Sequence, residues 1–172
     1  MKTPIVNLDA LDPQPFPAAV APTGDAAERF APRIARIGPL LGARKLGYSL
    51  IVLAPGKRAF PFHHHRVNEE MFFVVEGEGE VRIGGESHAI RAGDMIACPP
   101  GDAATAHQIV NTSAADLRYL AVSTQQSPEV VEYPDTGRHA VLVSDEPAPA
   151  TSMKGFRAIF RVDESLGYWD GE

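Results

Sequence analysis

The sequence predicts an all-β fold, a sandwich or barrel of short antiparallel strands. Two observations carry that prediction. Runs of strand-forming residues recur with turn signals every eight to twelve residues, and no amphipathic segment of twelve residues separates them. The turn formers are also unevenly placed. Nine of the fifteen glycines fall between residues 40 and 127, whereas eleven of the fifteen prolines fall before 40 or after 127. A glycine-punctuated barrel over 45–125 is expected, flanked by a proline-rich arm (1–44) and a loop-rich extension (126–172) that packs on the barrel or on a partner subunit.

Residues 1–24 of the arm contain Pro4, Pro13, Pro15, Pro17 and Pro22. Proline fixes φ and lacks a backbone donor, so this segment is expected to be extended and never a central strand. Asp25–Phe30 allows one helical turn, stopped by Pro32. Leu46–Leu53 reads as the first strand and ends at Ala54-Pro55-Gly56. Met71–Val75 is apolar on both faces, so Phe73 and Val75 require cover from a second sheet, the arm or a second copy. Glu80–Ile83 and Ser87–Ile90 flank Gly84-Gly85, a hairpin signal. Met95–Cys98, His107–Asn111 and Leu117–Ser123 follow. In the extension, Ala140–Val143 and Phe156–Val162 read as strands among Pro128, Pro134, Pro147 and Pro149. The single tryptophan, Trp169, is expected to pack against something.

Bulk properties exclude several classes. A net charge of −6, with no cluster of five basic residues, argues against nucleic acid or an anionic membrane as partner. One cysteine, Cys98, allows no disulfide within the chain. No apolar stretch approaches the ~20 residues that span a bilayer, and no signal-peptide pattern is seen, so a cytoplasmic location is expected.

The chemistry concentrates in His63-His64-His65. On a strand, residues i and i+2 share a face, so His63 and His65 can converge on one ion while His64 points away. Glu70, after a polar turn, would share a face with Phe72 and Val74; Glu69 is its rival. His107 opens a later strand. Three imidazoles and a carboxylate suit one divalent transition metal, whether Mn, Fe, Zn, Ni or Co, and leave positions for water or substrate.

The spacing Gly56-(six)-His63-x-His65-(four)-Glu70-(six)-Gly77 resembles the first motif of the cupin superfamily. The second motif is similar too: Gly93-(five)-Pro99-x-Gly101 and His107-(three)-Asn111, with five residues before His107 where two are usual. The resemblance covers about residues 46–124. It implies a double-stranded β-helix (jelly-roll) barrel with a metal in its mouth, held by His63, His65, Glu70 and His107. Members with this ligand set include isomerases, dioxygenases and plain binding proteins, so the site transfers and the reaction does not. An enzyme acting on a small polar metabolite is expected, isomerase- or dioxygenase-like, the alternative being a binder or sensor of a small ligand. A homodimer is expected from the apolar second face.

Among other residues, Asn111 either orients a ligand or caps a turn, and Cys98 reads as a small buried residue. Phe60, Phe62, Phe72 and Tyr119 can line the pocket. Arg58, Arg82 and Arg118 are candidates for an anionic substrate. Tyr48, Tyr119 and His88 are candidate proton-transfer groups.

Overall fold

A computed structural model describes residues 4–144, 155–164 and 166–171. Pro147 and Pro149 lie outside the described residues. The elements, in order, are β1 (Gln14–Pro15), α1 (Asp25–Arg29), β2 (Arg33–Arg36), α2 (Gly38–Leu41), β3 (Leu46–Leu53), β4 (His64–His65) and β5 (Glu70–Glu76). Then follow β6 (Glu78–Ile83), β7 (Glu86–Arg91), β8 (Met95–Cys98), β9 (His107–Val110), β10 (Leu117–Thr124), β11 (Glu129–Tyr133), β12 (Arg138–Ser144) and β13 (Gly155–Arg161).

One wall is the sheet β1-β2-β3-β10-β5-β8. The other wall is made of two smaller sheets, β13-β12-β11-β4 and β7-β6-β9. An antiparallel bridge between His63 and His107 joins them. Its two hydrogen bonds run from His107 N to the His63 carbonyl at 2.8 Å and from His63 N to the His107 carbonyl at 3.2 Å. The fold is a double-stranded β-helix, as the resemblance to the cupin superfamily implied.

Alternation fills the space between the walls. Ile51, Leu53, Phe72, Val74, Leu117 and Tyr119 point inward from the large sheet and meet Val81, Ile90 and Ile109 from β6, β7 and β9. Gly84 takes φ +54 in the β6–β7 hairpin, which closes at Ile83 opposite Glu86. Gly77 takes φ +84, and a Cβ there would collide with the Asp116 carbonyl, so the turn ending the first motif requires glycine.

The arm covers the outer face of the large sheet. Val6, Leu8, Leu11 and Leu41 pack on Ala35, Ile37, Leu50 and Val52. Within residues 1–24 the prolines confine strand pairing to β1, two residues at the sheet edge, while β2, the arm's later strand, pairs with β3. Phe73 and Val75, farther across that face, remain half-buried. Beyond the expected strands, β2 pairs with β3, and β11 pairs with both β4 and β12. The C-terminal end departs from expectation. Trp169 is 76% exposed and makes an edge-to-face contact only with Tyr168 among the described aromatic rings. It follows β13, the outermost strand of its sheet, and so lies beyond reach of the core.

Asn111 is fully buried and serves as a turn clamp. Its Nδ2 donates to the carbonyls of Leu53 and Ala115, both at 2.7 Å, and its Oδ1 accepts from the Ser113 amide and hydroxyl. Asn111→Ala orphans these groups and is expected to destabilise the protein by about 2–3 kcal/mol, read as a lower denaturant midpoint with an unchanged m-value.

Candidate metal centre

The bridge at the seam of the second wall places His63 and His107 side by side, with ring centroids 4.7 Å apart. Strand parity then orders the rest. His65 lies on the same face as His63, 5.1 Å between ring centroids, while His64 turns to the opposite face and meets Glu132. Glu70 begins β5 in the facing wall and points across the mouth. Its Oε2 lies 2.9 Å from His107 Nε2, 3.4 Å from His65 Nε2 and 3.8 Å from His63 Nε2. Donor atoms of His63, Glu70 and His107 all lie within 4.8 Å of one another, and His65 joins the group through Glu70. The five residues before His107 form a single turn: Asp102 accepts from the Ala104 amide through Oδ1 and from the Thr105 amide through its carbonyl. The longer loop is thus absorbed ahead of β9 without displacing His107.

His107 is buried and His63, His65 and Glu70 are half-buried, and the charges of the group depend on each other. Burial opposes ionisation of Glu70, but His107 and His65 outweigh it and hold the carboxyl well below the usual range. Burial and then the neighbouring His107 push His63 down to about 4. His65 goes the other way: burial disfavours its charge, but Glu129 and Glu70 flank it and raise it to about 9. Both ring nitrogens of His65 are buried and complete no hydrogen bond, with the two carboxylates standing off at 3.4 Å. A buried imidazole nitrogen without a hydrogen bond, facing a carboxylate and two further imidazoles, fits a divalent ion's N/O donor set.

Two contributors come from beyond the barrel segment. Glu129 of β11 is buried and anchored by the amides of Asn68 (2.8 Å) and Val130 (2.8 Å), with its Oε2 3.4 Å from His65 Nδ1. Tyr133 of β11 stacks on His63, with centroids 6.1 Å apart and planes at 29°. Neither was singled out in the sequence, because Glu129-Val130-Val131-Glu132-Tyr133 carries no motif. The period-two pattern of Glu129, Val131 and Tyr133 was the available signal.

The other expected residues separate. Phe60 packs edge-on to His63 at 6.5 Å and receives Phe16 of the arm at 6.3 Å. Phe72 packs against His107. Tyr119 sits behind the site in the core, its hydroxyl pushed far up by burial and then by the charge of Glu70. Cys98 is pushed up to about 12 by burial and Glu70, so it is no nucleophile. Tyr48 lies on the arm-covered face, and His88 is exposed beside Glu86. Arg82 stacks over Phe62 and pairs with Asp135, while Arg118 pairs with Glu76. Arg58 sits where the loop crosses the arm at Phe30. Glu69 is exposed and does not enter the group.

Residues 49–123 match the family model of the Cupin domain. Residues 49–123 are a cupin domain.

Two curated relatives align with it. An oxalate-binding protein of Thermotoga maritima is 32% identical over 75 residues, 44% of this chain and 59% of its own length. An uncharacterized protein of Methanocaldococcus jannaschii is 30% identical over 74 residues, 41% of this chain and 57% of its own. The chain thus spans less than two thirds of these relatives. A solved sugar phosphate isomerase from a cupin superfamily, from Silicibacter pomeroyi, superposes with a TM-score of 0.75 and 25% identity, covering 97% of this chain and 98% of that one. That likeness reaches beyond the cupin domain into both flanks. No described helix is long and apolar enough to cross a membrane.

The charge pattern sets a pH dependence for the metal-free cupin. Because His65 is raised from its ordinary 6.5 to about 9, its contribution to stability is complete below about 6.5 and is lost as pH rises through about 9. In the presence of a chelator the thermal midpoint is expected to fall across that window. His65→Gln should flatten the fall; an equal fall in the variant would assign it to another group.

Proposed function

We propose that the protein is a metal-dependent isomerase of a small hydroxy-carbonyl metabolite of the sugar type. One observation carries the reading: a single carboxylate oxygen, Glu70 Oε2, lies within 3.8 Å of the Nε2 atoms of His63, His65 and His107. The likeness to a sugar phosphate isomerase over nearly the whole chain supports the choice of reaction class.

His63, His65, Glu70 and His107 would hold a divalent transition ion. Bound there, such an ion supplies Lewis-acid polarisation of substrate oxygens. The chain's own residues supply the rest. Glu129 orients His65 by engaging its Nδ1 side, which directs Nε2 toward the centre. Phe60 and Phe72 flank the histidines and limit water. Tyr133, stacked on His63, is a titratable group beside the centre that is not a ligand. Burial raises its hydroxyl, with Arg157 and Arg138 partly offsetting the effect, so it is held protonated and would donate a hydrogen bond from its phenolic oxygen to a substrate oxygen that gains charge during isomerisation.

The oxalate-binding relative favours a second reading, a cupin that binds a small ligand without turning it over. Turnover by metal-loaded protein of any member of a panel of aldose and ketose phosphates separates the two readings. Under the isomerase reading, Tyr133→Phe keeps its metal and loses about a hundredfold or more in kcat. Glu129→Gln keeps the fold and loses about 10–100-fold in metal affinity. Metal analysis that finds no transition ion, even after reconstitution, would overturn both readings of the site.

A further inference from the structure

The four-stranded sheet presents one face to the metal centre, and register assigns its residues. Val131 of β11 stands opposite His65, Tyr133 opposite Arg138, and Arg138 opposite Arg161. Residues directly opposite in an antiparallel pair share a face. Arg138 and Arg161 therefore point to the same side of the sheet as Tyr133, which itself stacks on His63. The opposite face carries His64, Glu132 and His139, with His64 and His139 Nε2 each 3.3 Å from Glu132 Oε2.

Two like charges placed directly opposite on adjacent strands destabilise a sheet. Among the described residues, no carboxylate lies within ion-pair distance of either guanidinium. Arg138 is half-buried, spends its Nε on the Thr136 hydroxyl at 3.0 Å, and lies over the Tyr133 ring at 5.3 Å. The nearby Asp135 is committed to Arg82 at 2.8 Å, and Glu129 to His65 and the amides around it. By contrast, Arg33, Arg66, Arg82 and Arg118 each have a carboxylate partner. An uncompensated arginine pair beside a ligand site is a local cost that a bound anion would remove.

We propose that Arg138 and Arg161 form an anion subsite that receives the phosphate group of a phosphorylated metabolite, one aromatic ring away from the metal centre. The assignment of this group to a substrate rests on the isomerase reading above; the subsite itself rests on the arginine pair. The charge count selects phosphate over carboxylate, since a phosphate ester carries close to two negative charges at neutral pH and faces two unpaired cations. Guanidiniums also match phosphate oxygens in two-point geometry. The layout is that of a short bifunctional ligand. Its oxygens reach the histidine–glutamate group at one end, its phosphate lies under Arg138 and Arg161 at the other, and Tyr133 lies between. The cupin domain supplies the first end, and β12 and β13, outside residues 49–123, supply the second.

The test uses the full chain, freed of metal by a chelator and titrated with inorganic phosphate at constant ionic strength. The thermal midpoint of the parent protein is expected to rise with phosphate. Arg138→Gln and Arg161→Gln should each weaken the apparent affinity by about tenfold or more. Without phosphate, Arg161→Gln should melt no lower than the parent, because it relieves the repulsion. Both variants should bind a divalent ion as the parent does, so a failure of the metal reading is seen separately. The proposal is overturned if phosphate affinity is unchanged in Arg138→Gln, if acetate matches phosphate at equal concentration, or if the parent shows no phosphate response.

Discussion

The antiparallel bridge between His63 and His107 is the constraint on which the site depends. It consists of two backbone hydrogen bonds, yet it joins the four-stranded and three-stranded sheets into one wall. The same bridge sets two imidazoles side by side before any side-chain interaction is considered. Parity along His63-His64-His65 then adds the third imidazole and removes His64 to the other face. The facing wall needs to contribute only one residue, Glu70, whose position at the start of β5 follows from pairing with β10 and β8.

Burying this group has an electrostatic cost that the arrangement partly offsets. A carboxylate so enclosed would ordinarily be pushed toward its neutral form. Three imidazoles reverse that, and the result is a tightly coupled set in which His65 is charged and His63 neutral. Glu129 is the second carboxylate of this set and is itself held by backbone amides. The polarity of the mouth is therefore built in layers, with the ligand-type residues supported by a strand that lies outside the cupin domain.

The flanks have different physical roles. The arm contributes apolar cover: its leucines and valine protect the outer face of β3 and β10, and Phe16 reaches Phe60 at the mouth. Proline makes residues 1–24 a wrapping segment by limiting their ladder to the two residues of β1. The extension contributes chemistry: β11 brings Glu129 and Tyr133, and β12 and β13 bring the arginine pair. The face that carries His65 continues across residue 125 onto Glu129 and Tyr133 of β11.

The sequence by itself determined the strand alternation, the glycine turns and the shared face of His63 and His65, because these are local, whereas Glu70 and His107 joined them in one set only through the resemblance of their motifs. A period of two fixes which face a residue takes, and a tight turn needs glycine wherever φ is positive. The odd offset from His65 to Glu70 already required a turn between strands. What the sequence could not place were contacts made by distant strands in register. Glu129 reaches His65, Tyr133 stacks on His63, and Arg138 stands opposite Arg161 only because β11 pairs with β4, β12 with β11, and β13 with β12. Conversely, Arg82 and Arg118 look available in the sequence and are neutralised in the fold by Asp135 and Glu76. Register between strands is set by the summed packing of two sheets, and no short stretch of residues encodes it.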